Sequence, residues 1–501
     1  MVFTQPIFLL VFLPMTLVGF YVIAARGWIR LAMTWVVAAS LVFYGWWDWW
    51  LLGLLGASLL VNFGLARRLT AAPSTAVLVA GIVFNLGLLS YYKYANFAFE
   101  TWSSLTGASS LRLDIALPLA ISFFTFQKIA YLVDTYRGRT TRHGFLHYCL
   151  FITFFPQLVA GPILRHADTI PQFLSRGFGR FRASDLLLGV VIFAIGFDKK
   201  VFFADGMATL ANPVFDGAGL HPPTLIDAWG GALAYTLQLY FDFSGYSDMA
   251  IGLARMFGVR LPVNFNSPYK ATSIIDFWHR WHITLSLFLQ DYLYFPLGGS
   301  RKGRVRRDLN IMIVMLLGGL WHGAGWTFVA WGGLHGLYLV INHGFREVRH
   351  RLGHDLDRPS PWSQAVARAT TFIAVVLAWV LFRAEDGTAA IAVLGGMAGF
   401  NGIGPSMIEF GAALWIVPLL IIVWFAPNTQ EILTRHDPVL DATGESRRRE
   451  LAIQPWHSVI ERLDRVKIYV LIPVLSGSAV LAGFAAASRG AVSTEFIYMI
   501  F

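Results

Sequence analysis

The sequence predicts an all-α, polytopic integral membrane protein, and three observations carry that prediction. Of 501 residues, 56% are hydrophobic and only 14% charged, and the mean hydropathy is +0.58. Apolar runs of about 20 residues, the length that crosses about 30 Å of hydrocarbon as a helix, recur along the whole chain. None shows the period-two alternation of a membrane strand, so helices are the spanning form. We expect about 11–13 spanning or re-entrant helices, near 7–25, 31–44, 51–66, 76–92, 115–134, 145–163, 186–204, 229–255, 309–326, 328–343, 369–383, 411–426 and 468–487.

Taken in order, the first run reads as a retained helix. Residues 1–6 carry no positive charge, and Arg26 and Arg30 follow the apolar segment, which is the reverse of a removable signal. The run 145–163 contains Phe155-Pro156-Gln157-Leu158-Val159-Ala160-Gly161-Pro162. Two prolines around a glycine there predict a broken or re-entrant helix lining a cavity. Lys and Arg gather at Arg67-Arg68, Arg137 to Arg142, Arg301 to Arg307, Arg346 to Arg358 and Arg447 to Arg449. The positive-inside bias puts these loops in the cytoplasm and both termini on the opposite side, provided that 145–163 does not cross. The net charge of +10 is then mainly an orientation signal, reinforced by anionic lipid, and no nucleic-acid partner is implied.

Cys149 is the only cysteine, which excludes an internal disulfide and a cysteine-based metal cluster; it reads as a small buried hydrophobe. No linker or internal repeat divides the chain, so residues 1–501 read as one membrane domain with its core motifs in 120–345. Cytoplasmic segments interrupt it near 346–361 and 428–467.

Three polar clusters sit where solubility does not ask for them. Gly318-Gly319-Leu320-Trp321-His322-Gly323 places an imidazole inside an apolar run. An ionisable group at that depth is a functional-site hypothesis by default. Buried, the ring is expected to be neutral and able to accept a proton, as a general base must. The plainer alternative is a histidine bonded to a carbonyl between packed helices. Gly319/Gly323 and Gly332/Gly336 have the small-xxx-small spacing that lets backbones approach closely.

The second cluster runs from Asn264 to Gly299 and includes Asn266, Asp276-Phe277-Trp278-His279-Arg280-Trp281-His282 and Tyr292. It reads as an interfacial or half-inserted helix with Trp278 and Trp281 at headgroup level and with His279 and His282 on one face. His279 fits a surface contact; for His282 a site role and a structural one both stand. The third cluster is Tyr240-Phe241-Asp242-Phe243-Ser244-Gly245-Tyr246-Ser247-Asp248. Its carboxylates need partners at that depth, and Ser244 and Asp248 are expected to share a network with Arg280 or Lys270, supporting the site rather than reacting.

These stretches resemble the membrane-bound O-acyltransferase family, and within it the bacterial branch that acetylates secreted polysaccharides such as alginate. The matching segments are Met1-Val2-Phe3, Tyr92 to Phe97, Ala160-Gly161-Pro162, Leu237 to Gly252, Asn264 to Tyr269, Trp281 to Ser286, Asp291 to Tyr294 and Leu317 to Ala324. His279 departs from the pattern, where relatives tend to carry arginine. The resemblance implies a funnel or tunnel around an essential histidine, here His322, in a multi-pass protein of the bacterial inner membrane. It implies acetyl-coenzyme A as acyl donor on the cytoplasmic side, no tightly bound cofactor and no metal. It also implies an exported polysaccharide as acceptor, reached directly or through a periplasmic acetyltransferase or adaptor protein.

On that reading His322 takes the proton of the attacking hydroxyl, while His282 positions a reactant or stabilises developing charge. Trp321, Trp281, Asp242, Ser244, Asp248, Asn264, Asn266, Tyr292 and Arg280 bind or support. Arg301, Lys302, Arg304, Arg306 and Arg307 either attract the anionic donor or are orientation charge. Two other classes compete with it: a proton-coupled transporter, against which the missing repeat halves argue, and haem ligation by paired histidines. Cellulose, peptidoglycan and teichoic acid remain as alternative acceptors, and the aromatic tail Glu495 to Phe501 reads as a docking element or an interfacial anchor.

Overall fold

The computed structural model describes residues 1–109, 112–353, 360–404, 414–436 and 438–440. Among these residues every extended element is helical, and the one β-type pairing is an isolated bridge between Pro262 and Leu440. The principal helices are α1 (Phe8–Ala25), α2 (Ile29–Gly45), α3 (Trp50–Ala71), α4 (Thr75–Thr106), α5 (Ile121–Tyr136), α6 (Phe145–Thr153), α7 (His166–Phe173), α8 (Ala183–Asp198) and α9 (Asp205–Phe215). They continue with α10 (Leu225–Met256), α11 (Ile274–Trp278), α12 (Ile283–Leu289), α13 (Arg304–His322), α14 (Trp326–Arg351), α15 (Pro361–Arg383), α16 (Gly387–Met397) and α17 (Ile416–Phe425). Four of them, α1, α3, α4 and α15, are long and apolar enough to cross a membrane. The chain is a polytopic helical membrane protein, as its hydropathy predicts.

Boundaries shift where hydropathy and backbone chemistry part. Helix α4 runs on through a π-helical turn, Ser90–Tyr94, into a stretch with no apolar run. The span expected at 145–163 is broken: α6 stops at Thr153, Pro156 sits in the first turn of a one-turn helix, and Val159 to Leu164 follow without helix yet buried. Gly161 fits because a Cβ there would meet Gln157 Cα at 2.5 Å. The expected span 468–487, most of 428–467 and the tail Glu495 to Phe501 lie outside the described residues.

The chain packs as two compact units. Among the described residues, one comprises those within 1–197 and 246–263 with those of 429–440; the other comprises those within 198–245 and 264–428, so α10 belongs to the second up to Gly245 and to the first beyond it. In the first unit α8 and α10 cross at glycines. An ideal Cβ on Gly189 or Gly252 would stand 2.5–2.6 Å from the other's carbonyl oxygen. Asp248 belongs to this unit, and its carboxylate accepts from Thr429 Oγ1 and Gln430 Nε2, both at 2.7 Å. The network expected to join it with Ser244 does not form, because the Ser244 hydroxyl makes no hydrogen bond and Arg280 is engaged locally by Asp276. Lys270 donates to the carbonyl of Ala426 at 2.7 Å.

The second unit is organised by the α13–α14 hairpin, two helices joined by Gly323-Ala324-Gly325. Gly319 and Gly332 face each other so closely that a Cβ on either would stand 3.1 Å from the other's Cα, so the paired small residues of the sequence are the contact itself. Elsewhere in the unit Lys200 is buried, with its ammonium 2.7 Å from both Asp205 Oδ1 and Asp242 Oδ1. That ion pair supplies the partner the buried Asp242 requires, and Lys200 carried no signal in the sequence beyond lying in an apolar run.

Two outcomes follow for stability. Gly332→Val should separate α13 from α14 and cost more than the about 1–3 kcal/mol of ordinary overpacking, because the atoms in the way are backbone. Gly333→Ala, which meets only Leu316 Cδ2 at 3.4 Å, should leave the melting temperature of purified protein nearly unchanged. Lys200→Met should destabilise by about 3–5 kcal/mol by stranding the buried Asp242 carboxylate. Adding Asp242→Asn should recover part of that loss in the same melting measurement.

Candidate active site

His322 is the last residue of α13, and Gly323 leaves the helix in an extended conformation, so the imidazole stands at the hairpin's tip. It is 4% exposed and boxed by rings: Trp331 at 5.1 Å and 88°, Phe382 at 5.3 Å and 72°, and Trp321 at 4.9 Å between centroids. The fourth wall is His282, 6.4 Å away. Two imidazoles thus share one buried, aromatic-lined place.

His282 reaches it by a strained route. Helix α11 begins at Ser273, whose Oγ accepts the Asp276 amide at 3.1 Å, and ends after five residues at Trp278. The chain then turns, and His282 adopts φ 43° and ψ 53°, a left-handed conformation that costs a side-chain-bearing residue about 1–2 kcal/mol. Asn264 holds it there. Its backbone carbonyl accepts the Ile283 amide at 3.0 Å, and its Oδ1 lies 3.0 Å from His282 Nδ1, 2.9 Å from Thr284 Oγ1 and 3.4 Å from the Thr284 amide. An atom that receives an amide N–H is the carbonyl oxygen of Asn264, which only accepts, so Nδ1 of His282 carries the proton. In the neutral ring the lone pair is then on Nε2. Phe243 closes the other side, edge-on at 4.8 Å and 89°. Strain of this kind persists where surrounding contacts over-determine it, which is commonest at functional sites.

This geometry corrects two expectations. His279 and His282 do not share a helical face: the helix ends before either, and His279 is exposed. Trp281 is not a headgroup anchor, being 1% exposed and packed against Phe277 at 5.7 Å, Phe265 at 5.0 Å and Trp379 at 4.9 Å. A tryptophan pair beside polar residues reads as interfacial from sequence; here the rings supplied by α11 and α15 cover one of them completely.

Of the residues singled out by sequence, the structure brings together His322, His282, Trp321, Trp281 and Asn264. Three others have these partners. Arg280 is fixed by Asp276 at 2.8 Å, Asn266 Oδ1 accepts from Asn428 at 3.1 Å, and Tyr292 lies in a π-helical turn against Phe288 at 4.9 Å. Three participants were missed: Thr284, Trp331 and above all His335. The last is fully buried one helical turn beyond Trp331, with Trp278 Nε1 donating to its Nδ1 at 3.3 Å. The argument that singled out His322, an imidazole in an apolar run, applied equally to His335.

Chemically the arrangement offers a hydrogen-bond-accepting imidazole nitrogen, a second imidazole and walls that exclude water, which suits proton transfer during attack by a hydroxyl. Comparison with known proteins gives the family. Residues 83–377 match the model of the MBOAT, membrane-bound O-acyltransferase family. The chain is 40% identical over 433 residues to the peptidoglycan O-acetyltransferase of Helicobacter pylori, covering 80% of this chain and 81% of that protein. It is 43% identical over 396 residues to the probable alginate O-acetylase AlgI of Azotobacter vinelandii, covering 77% and 76%. The teichoic acid D-alanyltransferase of Bacillus subtilis is more distant, at 26% over 276 residues, 53% of this chain and 69% of that protein. The chain belongs to the membrane-bound O-acyltransferase family, and it is a multi-pass membrane O-acyltransferase.

Proposed function

We propose that the protein transfers an acetyl group from acetyl-coenzyme A on the cytoplasmic side of a bacterial inner membrane to hydroxyls of an exported polysaccharide, alginate first. A periplasmic acetyltransferase or adaptor protein receives or relays the group. The observation that carries this reading is the pair of facing imidazoles, one of them with its proton fixed on Nδ1 by Asn264. Basic residues 301–307 at the start of α13 supply positive charge for an anionic donor.

His322 acts as general base toward the acceptor hydroxyl, and such a base contributes about 10²–10⁴-fold. The tautomer of His282 supports the positioning role over the charge-stabilising one. With a lone pair on Nε2, it accepts a hydrogen bond from a neighbouring hydroxyl of the sugar acceptor and so aims the attacking one at His322; it has no proton there for a developing oxyanion. Holding donor and acceptor in one enclosed place adds the larger gain of orientation.

A second reading concerns the acceptor alone. Identity to the peptidoglycan enzyme of Helicobacter pylori, 40%, is close to the 43% shared with the alginate relative of Azotobacter vinelandii. Peptidoglycan glycan strands are therefore the alternative polymer.

The test is transfer of labelled acetyl from acetyl-coenzyme A by protein in lipid nanodiscs, with alginate and peptidoglycan oligosaccharides supplied in parallel together with a periplasmic partner. Alkali-labile label on alginate is expected. Label only on the glycan strands would move the acceptor, and substrate flux into liposomes without transfer would refute acyl transfer. His322→Ala should insert and purify normally yet lose at least about 10²-fold in turnover. His282→Ala should lose heavily but incompletely. Asn264→Leu, which frees the His282 tautomer, should cost about 10–100-fold, as loss of a partner that orients a functional histidine does.

A further inference from the structure

Acyl transfer with His282 presenting a lone pair leaves the carbonyl oxygen of the acyl group without an assigned hydrogen-bond donor. Two further donors lie on α14, and one of them, Trp331, stands against His322. Trp331 and His335 lie four residues apart on one face of α14, their rings 4.9 Å apart, and Trp331 packs edge-on against His322 at 5.1 Å. Both are buried, at 1% and 0% exposure. An indole nitrogen only donates, so the 3.3 Å contact from Trp278 Nε1 makes His335 Nδ1 the acceptor and puts the ring's proton on Nε2. That Nε2 atom and Trp331 Nε1 are both buried without a hydrogen-bond partner. Native proteins rarely strand buried donors, since each one forfeits its hydration with no return. The Trp278 contact explains one nitrogen of His335 and leaves the proton on the other unaccounted for.

Both groups are donors and nothing else, which selects their occupant. A water or a hydroxyl would satisfy them while bringing hydrogens of its own into a ring-lined place. A carbonyl oxygen accepts twice and brings none.

We infer that His335 Nε2–H, with Trp331 Nε1–H as second donor, binds the carbonyl oxygen of the acyl group in transit and stabilises the oxyanion it becomes. The inference rests on the acyl-transfer reading with a thioester donor. The acceptor oxygen bonds to the carbonyl carbon, its proton passes to His322, and the carbonyl electron pair moves onto the oxygen held by His335. Re-forming the carbonyl breaks the carbon–sulfur bond, and the departing thiolate takes the proton from His322.

Two amides separate this role from a structural one. Asparagine at 335 sets its amide near Nδ1, where it still accepts from Trp278 but offers no donor at Nε2; glutamine sets an NH2 near Nε2. H335Q should keep turnover within about tenfold of wild type, and H335N should lose about 10²–10³-fold in kcat with KM little changed. Trp331→Phe, which keeps the ring, should fall in the same direction. With a ¹³C-labelled acetyl thioester, the bound carbonyl stretch should lie lower on wild type and H335Q than on H335N. Full turnover in H335N, equal loss in both variants, or an unchanged stretch between wild type and H335N would each overturn the assignment. The stretch is read without turnover, so it decides the contact even if wild type transferred nothing, a result that would instead remove the acyl-transfer reading.

Discussion

Asn264 Oδ1 is the acceptor around which the candidate site is assembled. It draws together His282 Nδ1 and the hydroxyl and amide of Thr284, while the same residue's backbone carbonyl takes the Ile283 amide. Four donors on one residue hold the chain in a left-handed turn at a residue that resists it, and they fix which nitrogen of His282 carries the proton. Remove that carbonyl and the backbone has no reason to keep its strain, while the ring has no reason to keep its tautomer. In a place from which water is excluded, such a hydrogen bond is stronger than in solvent and its loss is correspondingly worse.

Position is set by a different device. Gly319 and Gly332 let α13 and α14 touch backbone to backbone, and this contact fixes where the last residue of α13 falls. His322 therefore owes its place to residues without side chains, and its surroundings to residues with large ones. Trp331, Trp321 and Phe382 meet its ring at 72–88°, edge to face, an arrangement that aromatic quadrupoles favour and that leaves little room for solvent. Rigid rings around a small number of polar atoms keep those atoms aimed without help from water.

The sequence made the helices and His322 legible for the same reason: both are statements about hydropathy. A run of 20 apolar residues announces itself, and so does one imidazole inside it. Asn264 and His282 were named as candidates from their polar company, but their contact across 18 residues was not readable, since the turn that makes it depends on a backbone conformation no periodicity encodes. Trp281 was placed at the headgroups because composition cannot tell a tryptophan at an interface from one inside a ring cluster. Lys200 and His335 were passed over although the rule that singled out His322 covers them. Each lies in an apolar run, each is buried, and each answers to a partner distant in sequence: Asp242 for the lysine and Trp278 for the histidine.

Sorted by hydrogen-bonding character, His282 and the two α14 rings offer polar atoms of two kinds on two elements. The turn before α12 presents an acceptor, the Nε2 lone pair of His282, whereas α14 presents donors, Nε2–H of His335 and Nε1–H of Trp331. Acyl transfer needs both kinds at once, because as the hydroxyl loses its proton the carbonyl oxygen gains charge. In water the solvent reorients to meet both demands; in an enclosed site the dipoles must already point the right way. Asn264 orients the acceptor and Trp278 orients the donor, each by occupying the opposite nitrogen of an imidazole. Two histidines of identical chemistry are thus given opposite faces by neighbours that differ in one respect, a carbonyl in one case and an indole N–H in the other.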